Sequence, residues 1–266
     1  MIVYAAVDIE NESRCFLLLV LAFVLVLPAC AAKTIPLADL DRSRLSTQTE
    51  LKVYHYKPAP FTVVTTGAKI ATMTGIAFGA IGGALGGGYA ASAMASEGKQ
   101  WVNTYGLEDP VLRVKSRLLS LMGNTLPSVS LRPIQEPLID DALTAAKARG
   151  DVGIILEVST RSWSVGNPFK SLSTYQYWGQ ARLVDATEAK IIWQGICKFQ
   201  DDESKENYTQ DQLKADNAAI LKAKIAEVAD SCADQLFEQF SSKPGVPKTG
   251  TTSEGGSSTK TAPASP

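Results

Sequence analysis

The chain has 266 residues, 45% of them hydrophobic and 20% charged, which is enough to bury a core in one large domain or two small ones. Its 26 basic and 27 acidic side chains give a net charge of −1, so it lacks the basic excess of nucleic-acid-binding proteins and we predict no such partner. The single histidine, His55, lies on a predicted strand and is a weak candidate for acid–base catalysis.

The first recognisable element is an apolar run of twelve residues, 16–27, followed by a proline, an alanine and a cysteine. It is shorter than the roughly 20 residues that span a bilayer and has the length of the apolar part of a secretory signal. The segment Leu27-Pro28-Ala29-Cys30 resembles the lipobox of bacterial lipoproteins. The resemblance implies a signal peptide over residues 1–29 and a new N-terminal Cys30 that carries diacylglycerol and a further fatty acid such as palmitate.

The residue after the cysteine is Ala31 rather than an aspartate, which by the same resemblance favours the outer membrane, with the protein facing the periplasm. Anchoring by two or more acyl chains is stable, so membrane lipid is the predicted partner of Cys30. The alternative is a short uncleaved anchor in which the cysteine has no role.

Residues 30–50 are polar without a clear period, and we predict that they form a tether. Alternating side chains from Leu51 to His55 predict a strand, which Pro58 and Pro60 end before a second β-rich piece follows.

Residues 67–98 are rich in glycine and alanine, with no charged residue between Ile70 and Ser96. Glycines four residues apart would form a flat helix face that suits close packing against another helix in a membrane. In water such a helix is weak, because each interior glycine costs about 0.5–1 kcal/mol relative to alanine. Two interpretations stay open: a membrane-inserting or self-associating helix, or a Gly/Ala-rich hairpin packed inside the domain. The glycines at this spacing are Gly75, Gly79, Gly83 and Gly87.

Two helices and an antiparallel meander are predicted next. Asp109 and Pro110 mark the start of a helix that Gly123 ends, and a second helix covers residues 138–149 up to Gly150. The three strands of the meander cover residues 151–163, 175–185 and 190–199, and on the third we place Ile191, Trp193, Gly195, Cys197 and Phe199 on one face.

A C-terminal helix begins at a capping box formed by Thr209 and Gln212. Its apolar residues recur at spacings of three and four and predict one buried face. Residues 242–266 are predicted to be a disordered tail, because their composition cannot bury a core. The buried face comprises Leu221, Ile225, Val228, Cys232, Leu236 and Phe240.

The cysteines outside the export region are Cys197 and Cys232, both on predicted apolar faces. Either a disulfide, which an oxidising periplasm permits, or two buried thiols fits this pattern. Two thiols without neighbouring ligands predict no metal site, and nothing indicates another cofactor.

Aromatic residues of the meander give a further candidate site. Trp163, Tyr175, Tyr177 and Trp178 would form a partner-binding surface if exposed, and part of the core if buried. The sequence has no nucleophile elbow, metal motif or phosphate-binding loop, so we predict a protein that is not an enzyme.

These elements predict an α+β fold: an antiparallel sheet with helices packed on one face, plus the Gly-rich segment, in one domain over residues 51–241. The element order and the lipobox resemble small periplasmic α/β lipoproteins, such as accessory activators of cell-wall synthases and curli-secretion lipoproteins. The resemblance implies a non-enzymatic, lipid-anchored accessory or assembly factor that binds an envelope protein. The alternative is a membrane-embedded oligomer component in which residues 67–96 insert and self-associate.

Overall fold

The structure, a computed structural model, describes residues 33–64, 88–139, 143–166, 173–200 and 208–242. Their helices and strands are arranged around one mixed sheet. In chain order they are α1 (Asp39–Thr47), β1 (Glu50–His55), β2 (Phe61–Val63), α2 (Gly88–Tyr105), α3 (Val111–Thr125), β3 (Ser130–Pro133), α4 (Leu143–Ala148), β4 (Ile154–Val165), β5 (Tyr175–Asp185), β6 (Lys190–Gln200) and α5 (Gln210–Ser241).

The sheet has the strand order β3-β1-β4-β5-β6, and β2 also pairs with β4. The long strands β4, β5 and β6 form the antiparallel meander that the sequence predicts. β1 is parallel to both β3 and β4, and β2 is parallel to β4. The α+β class is therefore confirmed, while the sheet is mixed rather than wholly antiparallel, because the chain crosses through helices between β1 and β4 and returns in the same direction.

The main core lies between one face of the sheet and the helices α2, α3 and α5. Leu156 of β4 and Leu183 of β5, which are paired across the two strands, are fully buried there, and burial of each such side chain stabilises the fold by about 1.5–3 kcal/mol. The predicted face of α5 is confirmed, since all six of its apolar residues are buried.

A smaller core covers part of the other sheet face, so the helices are not confined to one side as predicted. Tyr54, Ile155 and Val184 pack there with Ala146 of α4. Near Ile155 and Val184, β4 and β5 carry apolar residues on both faces of the sheet. The second face must therefore also be shielded from water.

The pairing of β5 with β6 shifts between Leu183 and Val184. As a result Ile191 packs on the smaller core, whereas Trp193 and Cys197 stay in the main core. The prediction of one shared face was wrong for Ile191, because a single inserted residue moves a side chain to the opposite face.

Helix α4 is shorter than the helix predicted over residues 138–149. Leu138 instead forms a β-bridge with Tyr56, and Ile139 is 88% exposed. Gly150 does end the helix, with a φ of +72° that favours glycine, and its N–H donates to the carbonyl of Lys147.

Most of the predicted tether over residues 30–50 is part of the folded body, which corrects that expectation. Leu37, just before α1, and Leu45, within α1, are both fully buried in the main core. Arg44 donates to the buried carboxylate of Asp185 at the β5–β6 turn. The signal in this stretch is too weak for prediction, because Leu40 and Leu45 on a short polar helix do not form a clear apolar face.

Helix α5 begins as predicted. The hydroxyl of Thr209 accepts from the Gln212 N–H at 3.2 Å, and the Thr209 N–H donates to the Gln212 side chain at 2.8 Å, which confirms the capping box. Asp216, Asn217 and Ala218 then adopt positive φ values of 51° to 58°, so a left-handed kink separates the first turn from the long remainder.

A disulfide joins Cys197 of β6 to Cys232 of α5, with their Cα atoms 5.3 Å apart. Gly179 of β5 lies directly beneath it, and a Cβ at that position would be 2.9 Å from the Cys197 sulfur. Only glycine therefore leaves room for the bridge. In the described part of the chain, no helix is both long enough and apolar enough to cross a bilayer.

Candidate binding groove

A groove of about 890 Å³ opens between the β1–β2 connection, helix α2 and the start of helix α3. We call it the α2–α3 groove. Its volume lies in the upper part of the 300–1,000 Å³ range of small-molecule sites. Its wall is mainly apolar, formed by Pro58, Pro60, Phe61, Val102, Leu107, Leu112 and Trp163.

The β1–β2 connection forms one side of the groove, and hydrogen bonds fix it from both sides. The Ala59 N–H donates to Asp109 at 3.1 Å, and the Trp163 indole N–H donates to the Ala59 carbonyl at 2.7 Å. Pro58 and Pro60 flank this alanine and restrict the backbone further. This wall is therefore formed before any ligand arrives.

Asp109 holds the connection, α3 and β4 together. Its carboxylate accepts from the Val111 N–H at 2.8 Å, in the first turn of α3, and from the Thr160 hydroxyl on β4. Burial raises the pKa of Asp109, and these hydrogen bonds oppose that rise. The sequence placed Asp109 at a helix start, and the structure adds two partners that are distant in sequence.

Two aromatic rings of the wall, Phe61 and Trp163, are packed together, and Trp101 lies behind them in the core. The ring centroids of Phe61 and Trp163 are 4.6 Å apart, and Trp101 of α2 lies 6.5 Å from Phe61. Helix α2 can approach β2 closely because its contact residue is Gly98, where a Cβ would collide with the Phe61 carbonyl.

The predicted aromatic binding surface does not exist as one surface. Trp163, Tyr175 and Tyr177 are each only 2% exposed and belong to the main core. Trp178 is half-buried, and the Lys198 ammonium lies 4.7 Å from its ring centroid. Alternation along a strand separates Tyr177 from Trp178 and explains the correction.

His55 and Lys115 form a buried polar contact beside the groove. The Lys115 ammonium lies 3.0 Å from Nδ1 of His55 and donates to the Ile134 carbonyl at 3.0 Å. Burial and the Lys115 charge lower the pKa of His55, and burial lowers the pKa of Lys115. A neutral imidazole with an unprotonated Nδ1 can accept a hydrogen bond from the Lys115 ammonium, which agrees with the lowered pKa of His55.

The rim of the groove carries Lys57, Lys99 and Glu108, all exposed. The apolar wall can hold a hydrocarbon or an apolar side chain, and the charged rim can hold a polar end. Sequence reasoning missed this groove, because its wall comes from four separate stretches of the chain. Its available signals were the paired prolines and Asp109.

Other predicted sites have different outcomes. Cys30 and the glycines Gly75, Gly79, Gly83 and Gly87 lie outside the described residues, so their roles stay predictions. Within the described residues, no three His, Cys, Asp or Glu side chains are grouped as a metal site.

No family model and no curated protein matches this chain. Solved structures that resemble it include PelC of Paraburkholderia phytofirmans, crystallised as a dodecamer, at 11% identity over 46% of this chain and 73% of PelC, with a TM-score of 0.25. They also include lipoprotein GNA1162 of Neisseria meningitidis, at 10% identity over 68% of this chain and 99% of that protein, with a TM-score of 0.23. The hypothetical protein CT253 of Chlamydia trachomatis is similar at 6% identity over 73% and 94% of the chains, with a TM-score of 0.29. Likenesses at this level assign neither function nor oligomeric state.

Proposed function

We propose that this chain is a lipid-anchored envelope protein that acts by binding rather than by catalysis, as an accessory or assembly factor for another envelope protein. The observation that carries the proposal is the segment Leu27-Pro28-Ala29-Cys30 after an apolar run of signal-peptide length. Acylation of Cys30 would hold the folded body at the outer membrane, on the periplasmic side.

Two features of the folded body support this proposal. The disulfide between Cys197 and Cys232 suits a protein exported to an oxidising compartment. The α2–α3 groove is apolar, and the buried acid at its edge, Asp109, is bonded to Ala59, Val111 and Thr160 as a structural group.

Membrane fractionation of cysteine variants tests the anchor. Cys30→Ser should move the protein from the membrane fraction to an unprocessed or soluble form, because the acylated thiol is lost. Cys15→Ser is the matched control, since it removes the other N-terminal thiol, and should leave the protein processed and membrane-bound. Equal processing and equal fractionation of both variants and the wild type would contradict the proposal.

The second candidate is a membrane-embedded oligomer component. The four-residue spacing of Gly75, Gly79, Gly83 and Gly87 favours it. Replacement of Gly79 and Gly83 by leucine is a better test than deletion of residues 67–98, because residues 88–98 belong to α2. The glycine replacements are made in a Cys30→Ser background. If they abolish oligomers and membrane retention, the result favours this candidate, and unchanged oligomers and retention would exclude it.

A further inference from the structure

We propose that the α2–α3 groove binds one long-chain fatty acid, with its acyl chain along the apolar wall and its carboxylate at the lysine-bearing rim. The proposal goes beyond the proposed function, since it concerns a ligand of the folded body and does not require acylation of Cys30.

The apolar lining and the rigidity of the groove suit an acyl chain. Its apolar residues include Pro58, Pro60 and Leu112, and Leu112 is 48% exposed although it is a large hydrophobic residue. Because Ala59 is fixed by Asp109 and Trp163, little ordering of this wall accompanies binding, and a preformed apolar site favours affinity.

The charges at the groove favour an anionic end on the ligand. Lys57 and Lys99 are exposed at the rim, and in the described residues neither forms an ion pair. Lys115, only 5% exposed, is bonded to the groove residue His55 and to a carbonyl, with no carboxylate among its described partners. Lys115 is not among the described residues that line the groove, so Lys57 and Lys99 are the cations that a bound carboxylate would meet.

The acidic groups at the groove do not cancel this preference. Asp109 is 9% exposed and its two oxygens are occupied by three donors from the protein. Glu108 is the remaining acid in the wall and is solvent-exposed at the rim. An uncharged hydrocarbon or an apolar peptide would use the wall and leave the lysines without a partner.

Photo-crosslinking of the purified full chain, kept in solution by an amphipathic polymer, tests the proposal. The probe is palmitic acid with a diazirine in its chain, and peptide mapping locates the adducts. We expect adducts on peptides that contain Val102, Leu107 or Leu112. Unlabelled palmitate should compete about tenfold better than hexadecanol, which has the same chain and no charge.

Two Ala→Phe variants on α2 provide the matched comparison. Ala95 lines the groove and Ala93 is exposed outside it, so Ala95→Phe should lower the adduct yield about tenfold and Ala93→Phe should not. Thermal unfolding of both variants checks that they fold. If Ala95→Phe does not fold, a double variant, Lys57→Glu with Lys99→Glu, takes its place, and unlabelled palmitate should compete less well for it. The control is the double variant Lys147→Glu with Lys190→Glu, which changes two exposed lysines outside the groove.

Several results would overturn the proposal. They are adducts only outside the groove, equal competition by hexadecanol, or an unchanged yield in Ala95→Phe. A change in oligomeric state in Ala95→Phe without a change in adducts would instead identify the groove as a contact between copies of this chain, and competition by apolar peptides alone would identify a peptide site. Each outcome concerns the folded body, so it is independent of whether Cys30 is acylated.

Discussion

Asp109 shows how one side chain joins parts of the chain that are distant in sequence. Its carboxylate binds the backbone of Ala59 and Val111 and the hydroxyl of Thr160, which belong to the β1–β2 connection, α3 and β4. Hydrogen bonds to a charged group contribute about 1.5–3 kcal/mol each, so Asp109 is a structural acid that shapes the groove.

The pair of His55 and Lys115 makes stability depend on pH. Burial and the Lys115 charge lower the pKa of His55 in the folded chain, so the unfolded chain takes up the proton first. The contribution of His55 is fully present above its unfolded pKa of about 6.5 and is lost as the pH falls through the lowered folded value.

We therefore expect the free energy of unfolding to decrease between about pH 7.5 and 5.5, by at most about 1.4 kcal/mol per pH unit from this one group. Urea unfolding across this range measures the decrease. His55→Gln keeps an acceptor for Lys115 but cannot titrate, so its decrease should be smaller. The raised pKa of Asp109 changes the free energy of unfolding with pH in the opposite direction. This effect is the same in both proteins and cancels in the comparison. Identical pH profiles for the two proteins would refute this role of His55.

At the scale of the elements, the outer edge of β6 is closed by side-chain and backbone contacts. Ile35 forms a two-way backbone pair with Gln194, at 2.9 Å in each direction. The side-chain amide of Gln239 on α5 accepts from the Ile196 N–H at 3.0 Å and donates to its carbonyl at 2.8 Å. An edge strand without such partners is a template for association with another chain.

Gln239→Ala should lower the free energy of unfolding by about 1–3 kcal/mol, because it leaves a backbone donor and acceptor of β6 without their partner. Gln235→Ala, one turn earlier on α5, is the control, since the Gln235 side chain donates to Ser231 of its own helix and not to the edge of β6 in the described residues. Denaturant unfolding compares the two. Equal losses for both variants would show that the edge contact does not contribute.

The meander and the α5 face could be predicted because their periods extend over many residues, as in Leu221, Val228 and Leu236. Helix α1 could not be predicted, because Leu45 is its one buried residue and its ion pair is with the distant Asp185. The parallel pairing of β2 was equally hidden, because three residues carry no register information and the partner lies on β4.

At the scale of the whole molecule, the groove is assembled from segments that only the fold brings together. The β1–β2 connection, α2, the start of α3 and Trp163 on β4 each contribute a wall. The sequence identifies the proline connection and the start of α3 but neither the extent of α2 nor the proximity of the four segments, so the candidate site emerged only with the fold. The disulfide stabilises the same arrangement by joining β6 to α5 across the main core.

Removing the disulfide should destabilise the molecule. The bridge closes a loop with a sequence separation of 35, for which the chain-entropy model gives about 3–4 kcal/mol. The double variant Cys197→Ala and Cys232→Ala should lose about this much free energy of unfolding in urea. The same loss should appear in the wild type after reduction, and an unchanged midpoint in both would contradict a stabilising bridge.

The most direct test of the account is the mass of the N-terminal peptide of the protein purified from membranes. The account predicts that the chain starts at Cys30 and that this residue carries diacylglycerol and an amide-linked fatty acid. A chain that retains residues 1–29, with an unmodified thiol at position 30, would contradict it.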